Sequence, residues 1–210
     1  MPAKLNLATW PRKEHFEFFS SFDEPFFGIV VTIDCTRAYA AAKQRGISFF
    51  LYYLHKTLTA VNSVEAFKYR IANGEVFIHE TVNASATLTR NDNTFGFSLI
   101  PYSNDLDTFV YEAQKEIERV RNTPGLFTRA FDSDSLIHFS ALPWVNFTSL
   151  SHARSFTFPD SCPKISVGKM MVGEDGKRTM PVSVHVHHGL MDGYHVGLFF
   201  DALQTAMDAD

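Results

Sequence analysis

Hydrophobic and polar residues repeat along the chain with two spacings, one typical of helices and one typical of strands. The stretch 31–46, VTIDCTRAYAAAKQRG, predicts a strand followed by a short Ala-rich helix that stops at Gly46. The next stretch, 49–64, is apolar nearly all round at its start, which predicts a buried helix. Ser48 precedes it and is a candidate N-cap.

Two further helices are predicted in the second half of the chain. Residues 107–122 carry an amphipathic pattern that ends before Pro124, and Asn104 or Asp105 can cap its start. Residues 194–208 also repeat apolar positions at helical spacing. The helical segments are therefore separated by stretches that must form other structure.

Those stretches have the features of strands and hairpins. Residues 67–80 contain two short β-type runs around Asn73-Gly74, a sequence typical of a tight hairpin turn. A second pair of strands flanks TRNDNT at 89–94, and the loop 173–178 joins another pair. Further extended pieces are predicted at 136–147, 163–172 and 179–188.

Helices and hairpins in one chain predict an α/β fold. We expect a two-layer sandwich in which helices cover a mixed, largely antiparallel sheet. No linker, repeat or low-complexity tract interrupts the sequence, so a single domain over 1–210 is expected. The pattern does not give the order of the strands.

Composition adds one unusual feature. Apolar residues make up 45% of the chain and charged residues 20%, which is ordinary for a globular domain. Phenylalanine is abundant, with 21 residues against 7 Tyr and 2 Trp. Most of these rings are expected in the core, but the excess leaves room for a pocket with aromatic walls.

Charge and cysteine content exclude several classes of protein. The net charge is −4, and the longest run of Lys and Arg is two residues, which argues against nucleic-acid binding. No apolar run approaches the length of a membrane span, and the N-terminal residues lack a signal-peptide pattern. Cys35 and Cys162 have no metal-site spacing, and we interpret them as free thiols of a cytoplasmic protein.

The most conspicuous polar segment is SVHVHHGLMDGYHVGLFF at 183–200, which holds four histidines. Alternation along a strand places His185 and His187 on one face and His188 on the other. Three interpretations remain open from the residues alone. The histidines are metal ligands, or hydrogen-bonded residues at a strand end, or they include a general base, His188, with Asp192 as its nearby carboxylate.

Four motifs together resemble a known family. HHGLMDG at 187–193 fits the H-x-x-x-D-G signature of the coenzyme A-dependent acyltransferases, and WPRKEHFEFF, SALPWVNF and IPYSNDLD match further blocks in order and spacing. On these residues the chain resembles the chloramphenicol acetyltransferases over essentially its whole length. No serine-hydrolase elbow, Rossmann or P-loop motif is present to support another enzyme class.

The resemblance implies a catalytic set. His188 would be the base that takes the proton from an acceptor hydroxyl while that oxygen attacks the thioester of acetyl-CoA, the acyl donor. Ser140 would donate a hydrogen bond to the oxyanion of the tetrahedral intermediate. Asp192 would form an ion pair with Arg12 and hold the turn that carries the base. No metal is implied.

The resemblance also implies an acceptor pocket. Its expected residues are Phe18, Phe19, Phe95, Phe127, Trp144 and Ser166. The sequence departs from the family pattern at Phe19, where well-known members have Tyr, and at Leu150 and His152, where other residues are expected. A changed polar group in a buried pocket alters the preferred acceptor, so acetyl transfer is better supported than chloramphenicol as its natural target.

We therefore expect an acetyl-CoA-dependent O-acetyltransferase that acts on chloramphenicol, as an antibiotic-resistance enzyme does, or on a similar small molecule. The resemblance implies a homotrimer with sites between subunits. Three alternatives stay open: an acyltransferase with another hydroxyl or thiol acceptor, a non-catalytic binding module on the same fold, and a metal-dependent enzyme.

Overall fold

The computed structural model of the chain describes residues 2–155 and 159–209. The α-helices in these residues are α1 (Lys13–Phe19), α2 (Thr36–Gln44), α3 (Phe49–Ser63), α4 (Leu106–Arg121) and α5 (Gly193–Asp208). The strands are β1 (Ala3–Lys4), β2 (Phe26–Asp34), β3 (Tyr69–Ala72), β4 (Glu75–Ile78), β5 (Asn83–Thr89), β6 (Phe95–Phe97), β7 (Leu136–Ala141), β8 (Lys164–Val167), β9 (Met171–Val172) and β10 (Arg178–His187).

The strands form a large mixed sheet and a small antiparallel one. The large sheet has the order β2-β10-β8-β7-β5-β6, with β9 paired to β10. The pairs β5–β7 and β7–β8 are parallel, and the remaining pairs of this sheet are antiparallel. The small sheet has the order β1-β4-β3. The prediction of a mixed, largely antiparallel sheet with helices is confirmed.

The two faces of the large sheet differ in polarity, as the alternation in β10 illustrates. Val182, Val184 and Val186 belong to the apolar core under the helices. Ser183 and His185 alternate with them and so belong to the opposite face. Because β10 is hydrogen-bonded on both sides, to β2 and to β8, this alternation is firmly fixed. The polar face is therefore available for chemistry.

A buried arginine fastens the small sheet to the start of β7. Arg70 on β3 is fully buried and donates to the carbonyls of Phe67, Tyr69, Asp134 and Leu136. Carbonyl acceptors on both sides offset part of the cost of burying the cation. This contact ties down the segment that leads into β7.

Most predicted elements are present, with identifiable local causes. Asn73 and Gly74 both have positive φ, 53° and 76°, in the predicted hairpin between β3 and β4. Gly46 follows α2 with a φ of 67°. Asp105 caps α4 through its side chain, which accepts a hydrogen bond from the Thr108 backbone N–H.

Some predictions need correction. Ser48 stands at the N-cap of α3, but its side chain makes no capping hydrogen bond. The stretch predicted as extended over 136–147 is a strand only to Ala141, because a turn in which Val145 donates to the Leu142 carbonyl follows. Helix α1 and strand β1 were not expected from the pattern.

Cys35 and Cys162 are free and buried. Among the described residues, no helix has the length and apolarity needed to cross a bilayer.

Candidate active site

His188 lies in the turn between β10 and α5, packed between two aromatic rings. Its imidazole stacks on Phe19 of α1, with centroids 3.9 Å apart and planes at 8°, and it also contacts Phe27 of β2 at 4.5 Å. Its backbone N–H donates to the Pro25 carbonyl at 2.8 Å. Its Nδ1 is buried and has no hydrogen-bond partner among the described residues. Packing therefore holds this ring in place.

An ion pair braces the turn that carries His188. Arg12 Nη1 lies 2.5 Å from Asp192 Oδ2, and Arg12 Nη2 donates to the His188 carbonyl at 3.3 Å. Asp192 also caps α5, where its other carboxylate oxygen contacts the Tyr194 N–H and His195 Nδ1. Burial raises the pKa of Asp192, but the hydrogen bonds from Arg12 and His195 outweigh it and lower the pKa to about 2. The carboxylate is therefore charged at neutral pH.

The adjacent histidines have different surroundings. His187 contacts Phe26 and His188 contacts Phe27, so the two rings lie on opposite faces of the sheet, as the strand alternation predicted. Burial lowers the pKa of His187 to about 4, and its Nδ1 accepts a hydrogen bond from the Gly189 N–H at 3.1 Å. His187 is thus an uncharged acceptor that supports the turn.

Ser140 lies on the polar face of the large sheet. In the register of β7, β8 and β10 it is opposite Ser166, which in turn is opposite Ser183. The Ser140 hydroxyl is 3.5 Å from the Thr87 hydroxyl, at the limit of a hydrogen bond. Ser166 is fully buried, and its hydroxyl has no partner among the described residues.

A cavity of about 410 Å³ opens beside Ser140. Phe95, Phe97 and Phe139 supply apolar surface, and His138 and His152 supply imidazoles. The other described residues that line it are Ser85, Thr87, Ala153, Arg154, Ser155, Asp160 and Lys164. The cavity therefore combines aromatic walls with several hydrogen-bonding groups, as small-molecule sites commonly do.

The aromatic residues assigned to the acceptor pocket fall into two places. Phe18 and Phe19 lie together on α1, beside His188, with their ring centroids 5.1 Å apart. Phe95 lines the cavity at Ser140, and Phe127 contacts Phe97 at 5.3 Å near the same edge of the sheet. Trp144 is 72% exposed in the turn after β7 and does not line that cavity.

One chain does not bring Ser140 and His188 together. Ser140 and Ser183 lie two strands apart, about 10 Å at the usual strand spacing. His188 is five residues farther along the chain than Ser183, about 16 Å at the usual rise. The two backbone positions are therefore about 19 Å apart, which is longer than both side chains can span.

One group of residues has the spacing of metal ligands. Ligand atoms of His138, Asp160 and Cys162 lie within 4.8 Å of one another. However, Asp160 already pairs with Lys164, and the charge of the buried Arg70 acts on Cys162. Burial also raises the pKa of the Cys162 thiol, so the thiolate that a metal prefers is disfavoured. Two cations and a protonated thiol make this a poor metal site.

Both predicted centres include residues that the sequence pattern did not identify. His138 and Lys164 line the cavity beside Ser140, and Phe27 contacts the other predicted centre, His188. Strand alternation gave a usable signal for two of them. His138 precedes Ser140 by two positions on β7, and Lys164 precedes Ser166 by two on β8, so each shares a face with a selected serine.

Comparisons with known proteins agree with this architecture. A sequence model described as chloramphenicol acetyltransferase matches residues 2–204. Chloramphenicol acetyltransferase 3 of Escherichia coli is 30% identical over 204 residues, which cover 96% of this chain and 94% of that protein. A chloramphenicol acetyltransferase of Bacillus pumilus is 27% identical over 198 residues, covering 94% of this chain and 90% of that one.

Solved structures give the same result. A chloramphenicol acetyltransferase superimposes with a TM-score of 0.89 at 30% identity, covering 99% of this chain and all of the other. The cubic core of a pyruvate dehydrogenase multienzyme complex superimposes with a TM-score of 0.66 at 15% identity, covering 88% of this chain and 82% of that one. The second likeness shows a shared fold.

Proposed function

The chain belongs to the chloramphenicol acetyltransferase family, and from this membership we propose that it transfers the acetyl group of acetyl-CoA to a hydroxyl of chloramphenicol. The relatives that bear this name match it over nearly their whole length, which supports the same reaction for this chain. The observation that carries the proposal is the His188 turn, which the Arg12–Asp192 pair braces and in which the imidazole Nδ1 has no hydrogen-bond partner among the described residues.

His188 is the proposed general base. Its imidazole takes the proton of the acceptor hydroxyl while that oxygen forms a bond to the thioester carbon of acetyl-CoA. When the tetrahedral intermediate collapses, the carbon–sulfur bond breaks and His188 returns the proton to the departing thiolate. Arg12 and Asp192 act as positioning residues, since Arg12 contacts both the carboxylate and the His188 carbonyl.

Ser140 is the proposed oxyanion donor. Its hydroxyl lies on the polar face of the sheet, beside a cavity large enough for a small acceptor. A hydrogen bond from this hydroxyl to the developing oxyanion would stabilise the transition state more than the ground state. Phe95 and Phe97 offer apolar surface for an aromatic acceptor in the same cavity.

The complete site would form between two copies of the chain. The base and the oxyanion donor must both reach one carbonyl group, yet about 19 Å separates their backbone positions within one copy. The His188 surface of one copy would then meet the Ser140 surface of the next. A contact between two different surfaces is heterologous and forms a ring when the rotation between copies closes. The homotrimer that the family resemblance implies is such a ring.

Exposed aromatic side chains support this assembly. Phe18 at the His188 end is 60% exposed and Phe127 at the Ser140 end is 69% exposed. Large apolar groups on a surface often mark a contact with another protein. A cytoplasmic location and a role in antibiotic resistance are further parts of the proposal and rest on the family alone.

A second candidate function is acyl transfer to a different hydroxyl or thiol acceptor. It is favoured by the polar groups of the cavity, since His138, His152, Lys164 and Asp160 all line it. Buried polar groups select strongly among acceptors that differ by one hydrogen-bonding group. The reaction and its base would be unchanged.

Thiol release from acetyl-CoA tests the proposal. Wild type should release free thiol only when chloramphenicol is present, and mass spectrometry should detect the acetylated product. His188→Ala should lose this activity by a factor of at least about a hundred, in keeping with the loss of a general base. His15→Ala, which removes an exposed histidine of α1, is the matched control and should retain it.

The remaining outcomes separate the alternatives. Binding of chloramphenicol without thiol release would favour the non-catalytic module. Thiol release that needs another alcohol or thiol would favour the second acceptor class. Activity that survives His188→Ala would contradict the assignment of the base, and activity abolished by a strong chelator would favour a metal-dependent enzyme.

A further inference from the structure

His152 is one of the two histidines among the described residues that line the cavity beside Ser140. It lies in the segment that follows β7 and lines the cavity together with His138 and Phe95. Its Nε2 is buried and has no hydrogen-bond partner among the described residues. An unpaired polar atom in a buried place costs free energy unless a ligand satisfies it.

The imidazole of His152 is uncharged at neutral pH. Burial, with smaller effects of the nearby His185 and Lys164, lowers its pKa to about 4. A neutral imidazole carries one donor and one acceptor nitrogen. It can therefore form a directional hydrogen bond with a bound molecule, and no charged imidazolium has to lose its hydration when that molecule binds.

The ring is held in place by its neighbours. His185 on β10 contacts it edge to face, with centroids 4.8 Å apart at 85°. His185 is itself fixed by the Ser183 hydroxyl at 3.3 Å and by a hydrogen bond with the backbone of Leu150. Gly28 leaves the space that the His185 ring fills. These contacts orient His152 before a ligand arrives, which reduces the entropy cost of binding.

An uncharged oxygen is the partner that suits His152. Of the described residues that line the cavity, the charged ones are already paired, Lys164 with Asp160 and Arg154 with Glu24. They leave no free charge for an ionic group, whereas the oxygen of a nitro, carbonyl or hydroxyl substituent can satisfy the unpaired Nε2 of His152. With Nε2 as the donor tautomer, such an oxygen accepts a hydrogen bond.

We propose that His152 determines acceptor specificity by donating a hydrogen bond from Nε2 to an oxygen substituent of the molecule that is acetylated beside Ser140. This inference rests on the proposed acetyl transfer and names a residue and an acceptor feature for the same site. The oxygen that accepts this hydrogen bond belongs to a substituent other than the hydroxyl that is acetylated.

Two variants and four acceptors test the inference in the full-length protein. His152→Leu removes the hydrogen bond, and His152→Gln retains a neutral hydrogen-bonding group at similar reach. The acceptors are chloramphenicol and three analogues, each altered at one unreactive oxygen group: the nitro group replaced by hydrogen, the C1 hydroxyl replaced by hydrogen, and the amide oxygen replaced by sulfur. The readout is kcat/KM for acetylation.

The expected result is selective. His152→Leu should lower kcat/KM for chloramphenicol about ten- to a hundredfold, and one analogue should show little further loss, because its partner oxygen is already gone. His152→Gln should restore much of the activity. Equal losses for all four acceptors, with the KM for acetyl-CoA unchanged, would overturn the inference while the proposed function stands.

Equilibrium dialysis of the same four compounds separates the inference from the function. If wild type binds chloramphenicol without acetylating it, and His152→Leu weakens binding selectively, the proposed acetyl transfer fails, and the hydrogen bond from His152 stands as a determinant of binding only. If wild type neither binds nor acetylates any of the four, both fail.

Discussion

At the scale of single residues, the site depends on how each histidine is surrounded. His188 is packed by Phe19 and Phe27, whereas His187 is buried and accepts a backbone hydrogen bond from Gly189. Two adjacent residues of the same type thus have different roles, one proposed for proton transfer and one structural. Strand alternation alone predicted that they lie on opposite faces.

The burial of His187 predicts a pH-dependent stability. Its pKa falls from 6.5 to about 4 on folding, so the neutral form is favoured in the folded protein. The contribution is complete above pH 6.5 and is lost as the pH falls towards 4, because the unfolded chain binds the proton first. His187→Asn keeps an acceptor for the Gly189 N–H and does not titrate. Between pH 7 and 4.5, wild type should lose about 2 to 3 kcal/mol more of its unfolding free energy than the variant.

Urea unfolding at both pH values and one fixed protein concentration measures this difference. The other titrating groups are common to both proteins, so their contributions cancel in the difference between the two losses of unfolding free energy. Equal losses in wild type and His187→Asn would contradict the account of His187.

The Arg12–Asp192 pair predicts a defect in catalysis as well as in stability. Asp192→Asn keeps an oxygen that can cap α5 but leaves the Arg12 guanidinium, 14% exposed, without its counter-charge. We expect the unfolding free energy to fall by about 1 to 3 kcal/mol. Because the turn that carries His188 loosens, kcat should fall more than KM rises.

Asp201→Asn is the control, since Asp201 is an exposed carboxylate on the same helix. Steady-state kinetics and urea unfolding should find it close to wild type. If Asp192→Asn changes neither kinetics nor stability, or if both variants have equal effects, then Arg12 and Asp192 do not position the turn that carries His188.

At the scale of elements, strand β10 contributes side chains both to the core under the helices and to the polar face of the large sheet. Its valines face the helices, and its alternate side chains reach the polar face where Ser183 lies in register with Ser166 and Ser140. The strand then ends at the turn that carries His188. One strand thus determines the position of the proposed base relative to the core and the cavity.

The pairing of β2 with β10 depends on a glycine. Gly28 is opposite His185, and a Cβ at Gly28 would overlap the His185 ring. Gly28→Ala should therefore destabilise the protein by about 1 to 3 kcal/mol and raise the KM of the acceptor, because His185 contacts His152. Gly197→Ala on α5 is the matched control. Its Cβ would meet no atom within 4 Å, so it should stabilise the helix by about 0.5 to 1 kcal/mol.

Thermal or urea unfolding of the two variants provides the test. If Gly28→Ala unfolds like wild type, then the His185 ring moves aside without cost, and the contacts described for His152 are not rigid.

Elements with a strong local cause could be predicted from the sequence, and weakly encoded ones could not. The Asn73-Gly74 turn and the cap at Asp105 require particular residues and were recognised from them. Helix α1 spans only seven residues and has no side-chain cap, so the pattern did not predict it. Strand order depends on pairings between distant segments, and residue periodicity does not encode them.

At the scale of the whole molecule, the proposed site residues fall on two surfaces. His188, Arg12 and Asp192 form one, and Ser140 with its cavity forms the other. The family resemblance predicted all of these residues, but the pattern of one sequence carries no information on the distance between two surfaces. That distance required the strand register, and it leads to the proposal that neighbouring copies share each site.

Complementation between two inactive variants tests this central claim most directly. His188→Ala keeps Ser140, and Ser140→Ala keeps His188, so a mixed oligomer contains some contacts in which both groups are wild type. Co-expression with two different affinity tags isolates the mixed oligomers, and thiol release from acetyl-CoA with chloramphenicol measures their activity. Each variant purified alone provides the background, which should be at least about a hundredfold below wild type.

If the site lies between copies, mixed trimers isolated by both tags should restore roughly a third of the wild-type activity, since one of the three contacts in each such ring joins two intact surfaces. If mixed oligomers are no more active than the two variants purified alone, His188 and Ser140 do not act together across a contact between copies, and the account of the site is contradicted.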